Sequence, residues 1–440
     1  MVRKVPVYSK DACSKKDGQP LSYKRVLILA LTVLLLLACF MPATAEDSIS
    51  AAEENNDSVT EENSVSATDE VFDLPSEEGI DALPPAVDYS KNCFYDFTSV
   101  PVLRDDNKAT GYTFTAGQTL PVRWTENIPV RFVYIAFTRD PVPFTLNQYD
   151  ENGTLLKTEQ GHQMLNYAYA LEEGSRSLTI VNGEQEMSLC SLYMYGEGTV
   201  PDFHPFIEPG DKLDYMIVAT HCDDDVLFLG AVAPIYGVER NKQGTVIFLA
   251  ASSRLRMDEG LNGAWAMGIW LYPQFSPFRD VQKRTKKVFE IDQVTEYLVR
   301  QFRRYRPDLV VAQDPNGEYH HWQHVDGVIA VRKAVELAAD ASYDPDSAEL
   351  YGTWQVKKLY LHLFPENTIT LDIHAPLAGF GGRSALEVAR EAFLCHKSQR
   401  NSRHAGKNEG VYDISAFGLA FTAVGPDTPG KNDMFENIEA

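Results

Sequence analysis

Between about Asp88 and Tyr195 the chain alternates apolar and polar residues in short runs: Val130 to Phe137, Phe144 to Tyr149, Thr154 to Thr158, Ser177 to Val181 and Leu189 to Tyr195. Turn residues separate the runs. A period of two over such lengths marks half-buried strands, so the region predicts an all-β domain of about a hundred residues, most simply a sandwich. Asn152-Gly153, between two of the runs, predicts a hairpin because both positions tolerate positive φ. Pro201, Pro205 and Pro209 then interrupt the pattern between Gly196 and Gly210, as a domain junction would.

Beyond Gly210 the period changes. Tyr215 to Thr220, Thr245 to Ala250 and Asp308 to Ala312 are continuously apolar, and they alternate with helical patterns over Val226 to Val238, Asp258 to Trp270, Asp292 to Tyr305 and Val325 to Ala339. Strands apolar on both faces and separated by helices predict an α/β fold, a Rossmann-like, mostly parallel sheet with helices on both sides. Two further strands, Lys358 to Phe364 and Thr368 to His374, and a last helix, Ser384 to Lys397, extend it.

Length and composition fit this division. With 440 residues, 44% of them hydrophobic, the chain is long enough for two cores. Arg3, Lys4, Lys10, Lys15, Lys16, Lys24 and Arg25 precede an apolar run from Val26 to Phe40, followed by Ala43-Thr44-Ala45. This reads as an export signal cleaved after Ala45; lipid attachment at Cys39 and an uncleaved anchor are the alternatives. The expected protein is secreted or held at the cell surface. The net charge of −22 is concentrated at the front, because residues 46 to 90 hold fourteen acidic residues and no Lys or Arg. That stretch reads as a solvated linker, and the acidity argues against nucleic acid as a partner. The expected organisation is a signal over 1–45, a linker over 46–87, the β-sandwich over 88–200, the α/β domain over 211–425 and a tail over 426–440. Outside the cell Cys93 and Cys190, near the first and last strands of the front domain, could pair or remain two buried thiols. Trp124 and Tyr134 read as core rather than as a sugar platform.

Ligands of an open parallel sheet gather beyond the carboxyl ends of its strands. Two unusual stretches fall there: Thr220-His221-Cys222-Asp223-Asp224-Asp225, and Asp314-Pro315-Asn316-Gly317-Glu318-Tyr319-His320-His321-Trp322-Gln323-His324. Imidazole and carboxylate suit zinc, which in catalytic sites takes three protein ligands and leaves a position for water. His221, Asp224 and His324 fit that count, with Asp223 left as a base. The carboxylates could instead cap a helix N-terminus, and the histidines could belong to a solvated loop.

These motifs resemble those of the PIG-L/LmbE-like de-N-acetylases. The resemblance spans about Lys212 to Gln399 and includes Arg256-x-x-Glu259 and His396-x-Ser398-Gln399. It implies a zinc-dependent hydrolase, with another divalent ion such as Fe2+ as the alternative, that removes the acetyl group from an N-acetylated sugar or glycan, including glycans of the cell envelope. It implies His221, Asp224 and His324 as metal ligands, Asp223 as general base, His321 as the partner of the developing oxyanion, Arg256 on sugar hydroxyls and Tyr319 as a mobile active-site group. Cys222 stands where the family has Pro, and Asp225 where it has Glu. The front domain resembles galactose-binding-like sandwiches more weakly. Two other readings remain open: a surface carbohydrate-binding protein with a structural or degenerate metal site, and a zinc amidase acting on non-sugar amides.

Overall fold

The computed structural model describes residues 84–95, 100–201, 203–251, 253–284, 288–399 and 408–438. The expected export signal and the linker up to residue 83 lie outside them.

Nine strands build the front of the molecule: β1 (Cys93–Tyr95), β2 (Tyr112–Phe114), β3 (Thr119–Trp124), β4 (Phe132–Phe137), β5 (Phe144–Tyr149), β6 (Leu155–Gln160), β7 (Asn166–Ala170), β8 (Ser177–Asn182) and β9 (Met187–Tyr195). They form two sheets, ordered β1-β3-β8-β5-β6 and β2-β9-β4-β7, with every pairing antiparallel. Alternate residues of both sheets meet in one core, where Leu120, Val122, Leu146 and Ile180 face Val133, Ile135, Leu189 and Leu192. The hairpin expected at Asn152-Gly153 joins β5 to β6, with Gly153 at φ +78° and Asp150 Oδ1 accepting from the amides of Asn152 and Thr154. Trp124 and Tyr134 are buried.

Cys93 and Cys190 are separate buried thiols. Cys93 points into the core between the sheets, whereas Cys190 projects from the opposite face of β9 into a small cluster with Tyr134, Ala136 and Val200. A whole sheet separates the two side chains.

The second region is an α/β fold. In chain order it contains β10 (Tyr215–Ala219), α1 (Asp224–Leu227), β11 (Gly244–Phe248), α2 (Arg254–Ala266), β12 (Gln274–Phe275), α3 (Ile291–Tyr305), β13 (Leu309–Ala312), α4 (Gly317–His320), α5 (Trp322–Leu337), α6 (Pro345–Tyr351), β14 (Lys358–His362), β15 (Thr368–Thr370), α7 (Ala385–Phe393) and β16 (Ala416–Thr422). The sheet order is β12-β11-β10-β13-β14-β16-β15. Pairs from β12 through β14 are parallel, and β16 runs antiparallel between β14 and β15. Successive residues of each parallel strand enter different cores: Ile217 and Val311 pack under α1, α2 and α7, while Met216, Val218 and Val310 pack under α3 and α5. That two-sided burial explains the unbroken apolar runs. On α3 the inner face is Val294, Leu298, Val299 and Phe302, each worth roughly 1.5–3 kcal/mol when fully buried.

Some expectations shift. The helix expected over Val226 to Val238 is broken: α1 is one turn long, and a wider π-type helix follows at Ala233–Glu239, with Pro234 in its first turn. α2 begins at Arg254, four residues before the expected Asp258. The described part of the expected tail, residues 426–438, is held against the fold: Met434, Phe435 and Ile438 are buried, and the Met434 amide donates to the Tyr236 hydroxyl at 2.9 Å. Among the described residues no helix is long and apolar enough to cross a membrane.

The front sheets and the α/β region share a polar seam. Arg254, at the start of α2, donates to the carbonyls of Phe137 (2.7 Å) and Leu165 (3.3 Å), and the Leu165 amide donates to the Tyr272 hydroxyl at 2.8 Å.

Candidate metal centre

The first motif leaves β10 and turns directly into α1. Thr220 donates its amide to Gln313 Oε1 at 2.8 Å, which ties the carboxyl end of β10 to that of β13. The carboxylates are not spent on capping: Asp223 occupies the N-cap position without a side-chain capping bond. Asp224 Oδ2 folds back to accept the His221 amide at 2.7 Å, placing the carboxylate beside the imidazole of the same turn.

His324 arrives from the first turn of α5. Three atoms converge: His221 Nδ1 lies 3.0 Å from Asp224 Oδ2, His324 Nε2 lies 3.1 Å from the same oxygen, and the two nitrogens are 3.1 Å apart. Ligands bound tetrahedrally at about 2.0–2.1 Å would stand about 3.3 Å from one another, so the donor set fits a small divalent cation. All three side chains are buried. His321 is the other imidazole of this His-rich group, which could bind a metal, with ligand atoms of His221, His321 and His324 within 4.8 Å of one another. Its ring centroid lies 4.8 Å from those of both His221 and His324. Asp224 touches both of the other imidazoles directly and is therefore the better third ligand, with His321 facing the cluster from one side.

Glu318 supports this arrangement from behind. Its Oε2 is 2.6 Å from His324 Nδ1 and its Oε1 is 3.3 Å from His362 Nδ1, while Oε1 also accepts the Asp314 amide at 2.9 Å. With Nδ1 bound to a carboxylate, His324 would turn its Nε2 lone pair toward a cation held in the cluster. The segment pays in backbone conformation, since Glu318 (φ 51°) and His320 (φ 65°) both lie in the left-handed region. On the other side His221 Nε2 faces Asp280 Oδ1 at 3.6 Å, an ion-pair distance.

The charges respond to this crowding. Burial acts to lower the histidines, but the Asp224 carboxylate outweighs it and raises His221 to about 10 and His324 to about 9. Burial acts to raise Asp224, but the imidazolium charges of His324 and His221 hold it well below the usual carboxylate range. Asp223 moves the other way, up to about 6, through burial and the neighbouring Asp224 charge, with the Arg256 guanidinium opposing. Two adjacent carboxylates with pKa values pushed apart are suited to different roles. Asp225 is raised well above its ordinary value by burial and by the charges of Asp223 and Asp224, and its carboxyl oxygens have no hydrogen-bond partner among the described residues.

Two of the expected residues have further neighbours. Arg256, expected on sugar hydroxyls, has Nη2 2.5 Å from Asp223 Oδ1. His321, expected as the partner of a developing oxyanion, is lowered to about 4 by burial and by the charges of His221 and His324. Tyr319 stands at the rim, about half exposed, with its ring 5.9 Å from that of His321.

No protein-family profile matches the chain. Over 95 residues it is 36% identical to the 1D-myo-inositol 2-acetamido-2-deoxy-alpha-D-glucopyranoside deacetylase of Geodermatophilus obscurus, covering 22% of this chain and 31% of the relative. Over 192 residues it is 26% identical to deacetylase 1 of the same name from Catenulispora acidiphila, covering 36% of this chain and 58% of the relative. The chain is similar to the PIG-L/LmbE-like de-N-acetylases. Its matches span from about a third to somewhat over half the length of these curated relatives. Among solved structures, the N,N'-diacetylchitobiose deacetylase from Pyrococcus horikoshii overlaps 44% of this chain and 72% of that one, at 17% identity and a TM-score of 0.33.

The PIG-L/LmbE-like motifs meet in space. Glu259 of the Arg-x-x-Glu element accepts from the Ser398 amide at 2.7 Å and from its hydroxyl at 2.6 Å, joining α2 to the His-x-Ser-Gln turn. His396 of that turn is fully buried, stacked on Phe393, and neither ring nitrogen has a hydrogen-bond partner among the described residues. Sequence reasoning assigned no role to Glu318, Gln313, His362 or Asp280. Gln313 and His362 sit at the carboxyl ends of β13 and β14, where the rule that located the first motif would also have found them. Asp280 carries no such signal.

Proposed function

We propose that the chain is a metal-dependent hydrolase that removes the acetyl group from an N-acetylated amino sugar, releasing acetate and a free amine. The observation that carries this reading is the triangle of His221, Asp224 and His324 with an adjacent carboxylate, Asp223, outside it. A purely structural zinc site would be closed by four ligands and would have no use for that base. In this reading the sheet is Rossmann-like, and the front sheets are a galactose-binding-like sandwich. The basic, apolar and small-residue pattern at the start of the chain supports a location outside the cytoplasm, where envelope or secreted glycans would be the available substrates.

A divalent cation on His221, Asp224 and His324, zinc or ferrous iron, would polarise the acetyl carbonyl and acidify a water molecule beside it. The chain's own groups do the rest. Asp223, raised toward neutrality and oriented by Arg256, takes a proton from the attacking water. The same carboxyl then carries that proton to the departing amine. His321, neutral and beside the cluster, offers a hydrogen bond to the oxygen on which charge develops. Glu318 and Asp280 hold the two ligating imidazoles in place.

The test is acetate release from N-acetylglucosamine monomers, oligomers and wall fragments by the metal-loaded protein, run beside Asp223→Asn and Asp224→Ala. Asp223→Asn should lose about 100- to 10,000-fold in kcat while keeping its metal. Asp224→Ala should lose the metal. Full metal occupancy in Asp224→Ala, or loss of metal in Asp223→Asn, would show that the roles are wrongly divided.

A further inference from the structure

A cavity stands apart from the metal cluster. It has a volume of about 500 Å³ and lies in the seam between the front sheets and the outer side of α2. Ligand pockets commonly span about 300–1,000 Å³, so it is large enough for a ligand of its own.

Its lining says what kind. Three carboxylates (Asp106, Asp258, Glu259) face three cations (Lys108, Arg254, Lys397), so the wall carries no net charge. Much of that charge is already paired: Lys108 Nζ is 2.9 Å from Asp258 Oδ2, and Arg254 also pairs with Asp258. With equal numbers of each sign, the wall favours neither a phosphate nor a strongly cationic ligand. Between the charges sit neutral amides, Asn107 on one wall and Asn262 on the other, and a flat plate, the ring of His204, which stacks on Trp265 at 5.0 Å and 11°. His204 Nε2 is 3.0 Å from Asn262 Oδ1, which fixes the amide beside the plate. Many donors and acceptors, no net charge and a flat ring surface suit a neutral polyhydroxylated ligand.

The position of the cavity connects it to the metal centre. Arg256 turns one side of α2 toward Asp223, while Leu255, Asp258 and Asn262, spaced at i, i+3 and i+7, turn another side into the cavity, which Glu259, bonded to Ser398, also lines. The two sides are separated by about 10–12 Å, the diameter of a helix with its side chains. Leu255, 57% exposed at the start of the helix, lines the cavity. We propose that this cavity is a distal subsite that binds further rings of a neutral oligosaccharide whose acetylated ring occupies the metal cluster. The proposal rests on the de-N-acetylase reading and narrows its substrate to an oligomeric glycan.

The test is calorimetric titration of the full chain carrying Asp223→Asn, which prevents turnover, with N-acetylglucosamine and with its linear tetramer. The tetramer should bind about tenfold or more tighter than the monomer, a difference of about 1.4 kcal/mol. Asn107→Trp and Asn262→Trp fill the cavity from opposite walls, and each should bring the tetramer-to-monomer ratio to about one at an unchanged thermal midpoint. If either variant fails to fold, the other still decides. Equal affinity for the two sugars, no binding of the tetramer, or a ratio that survives both tryptophans would overturn the proposal. Acetate release does not enter this readout. A chain that binds the tetramer through the cavity yet deacetylates nothing upholds the subsite and overturns the reaction.

Discussion

Strand β14 begins and ends on a buried basic residue, Lys358 at its amino end and His362 at its carboxyl end, and neither is exposed to solvent. The surroundings of the two differ in one respect. Lys358 pairs with Asp427, which also accepts the Tyr360 hydroxyl, so a carboxylate from the C-terminal segment completes the group within the chain. At the other end His362 shares Glu318 with His324, and His324 shares Asp224 with His221. There two imidazoles converge on a single carboxylate oxygen, and Asp225 close by is left without hydrogen-bond partners among the described residues. Buried charge alone therefore does not mark a site, because both ends of the sheet have it. What distinguishes the carboxyl end is a donor set whose geometry a small cation would complete.

Substitutions at the two ends should separate stability from metal binding. Lys358→Met removes one partner of a buried pair and should cost about 3–5 kcal/mol in urea unfolding, while metal affinity stays at the parent value. A parallel loss of metal affinity would mean that the two ends are coupled and would break the contrast. Glu318→Gln should do the reverse. By weakening the hold on His324 Nδ1 it should reduce metal affinity about 10- to 100-fold in a chelator competition, the usual effect of losing an outer carboxylate. An unchanged affinity would show that α5 alone orients His324 and that the strained turn at Glu318 serves something else.

The closed end was the harder one to read. Asp427 lies nearly seventy residues from Lys358, in a segment whose polar composition suggested a tail, and nothing local announces the pair. The metal cluster was legible because its parts follow buried strands and use residue types with a narrow chemistry. The residues proposed as its ligands, His221, Asp224 and His324, stand out by type and position, and the fold brings them together. The supporting residues could not, since a single Glu or Gln in a loop has too many ordinary uses. Other strands were missed for a related reason: the edge strands β2 and β12 are too short to show a pattern, and β16, between β14 and β15, pairs antiparallel within a sheet that otherwise suggested only parallel neighbours. The helix expected after the first motif failed at its middle, where Gly230 and Pro234 interrupt an apolar run that a periodicity argument reads as continuous.

The smallest effect should come from His396, which lies between the two cases, buried like Lys358 but without a hydrogen-bond partner among the described residues. Burial, assisted by the Arg256 charge and opposed by Asp224, lowers it to about 3. A base whose folded pKa lies below its unfolded value of about 6.5 favours folding fully only above that value, because the unfolded chain takes up the proton first as the pH falls. Stability should therefore decline below pH 6.5, and the loss attributable to this one ring reaches about 2 kcal/mol at pH 5. Gln cannot titrate, so His396→Gln should flatten that part of the profile whatever it does to stability at pH 7. Unfolding midpoints between pH 5 and 7.5 decide the matter. If both proteins lose stability in parallel across that range, the acid sensitivity arises elsewhere, and the ring is a packing element whose protonation the fold accommodates.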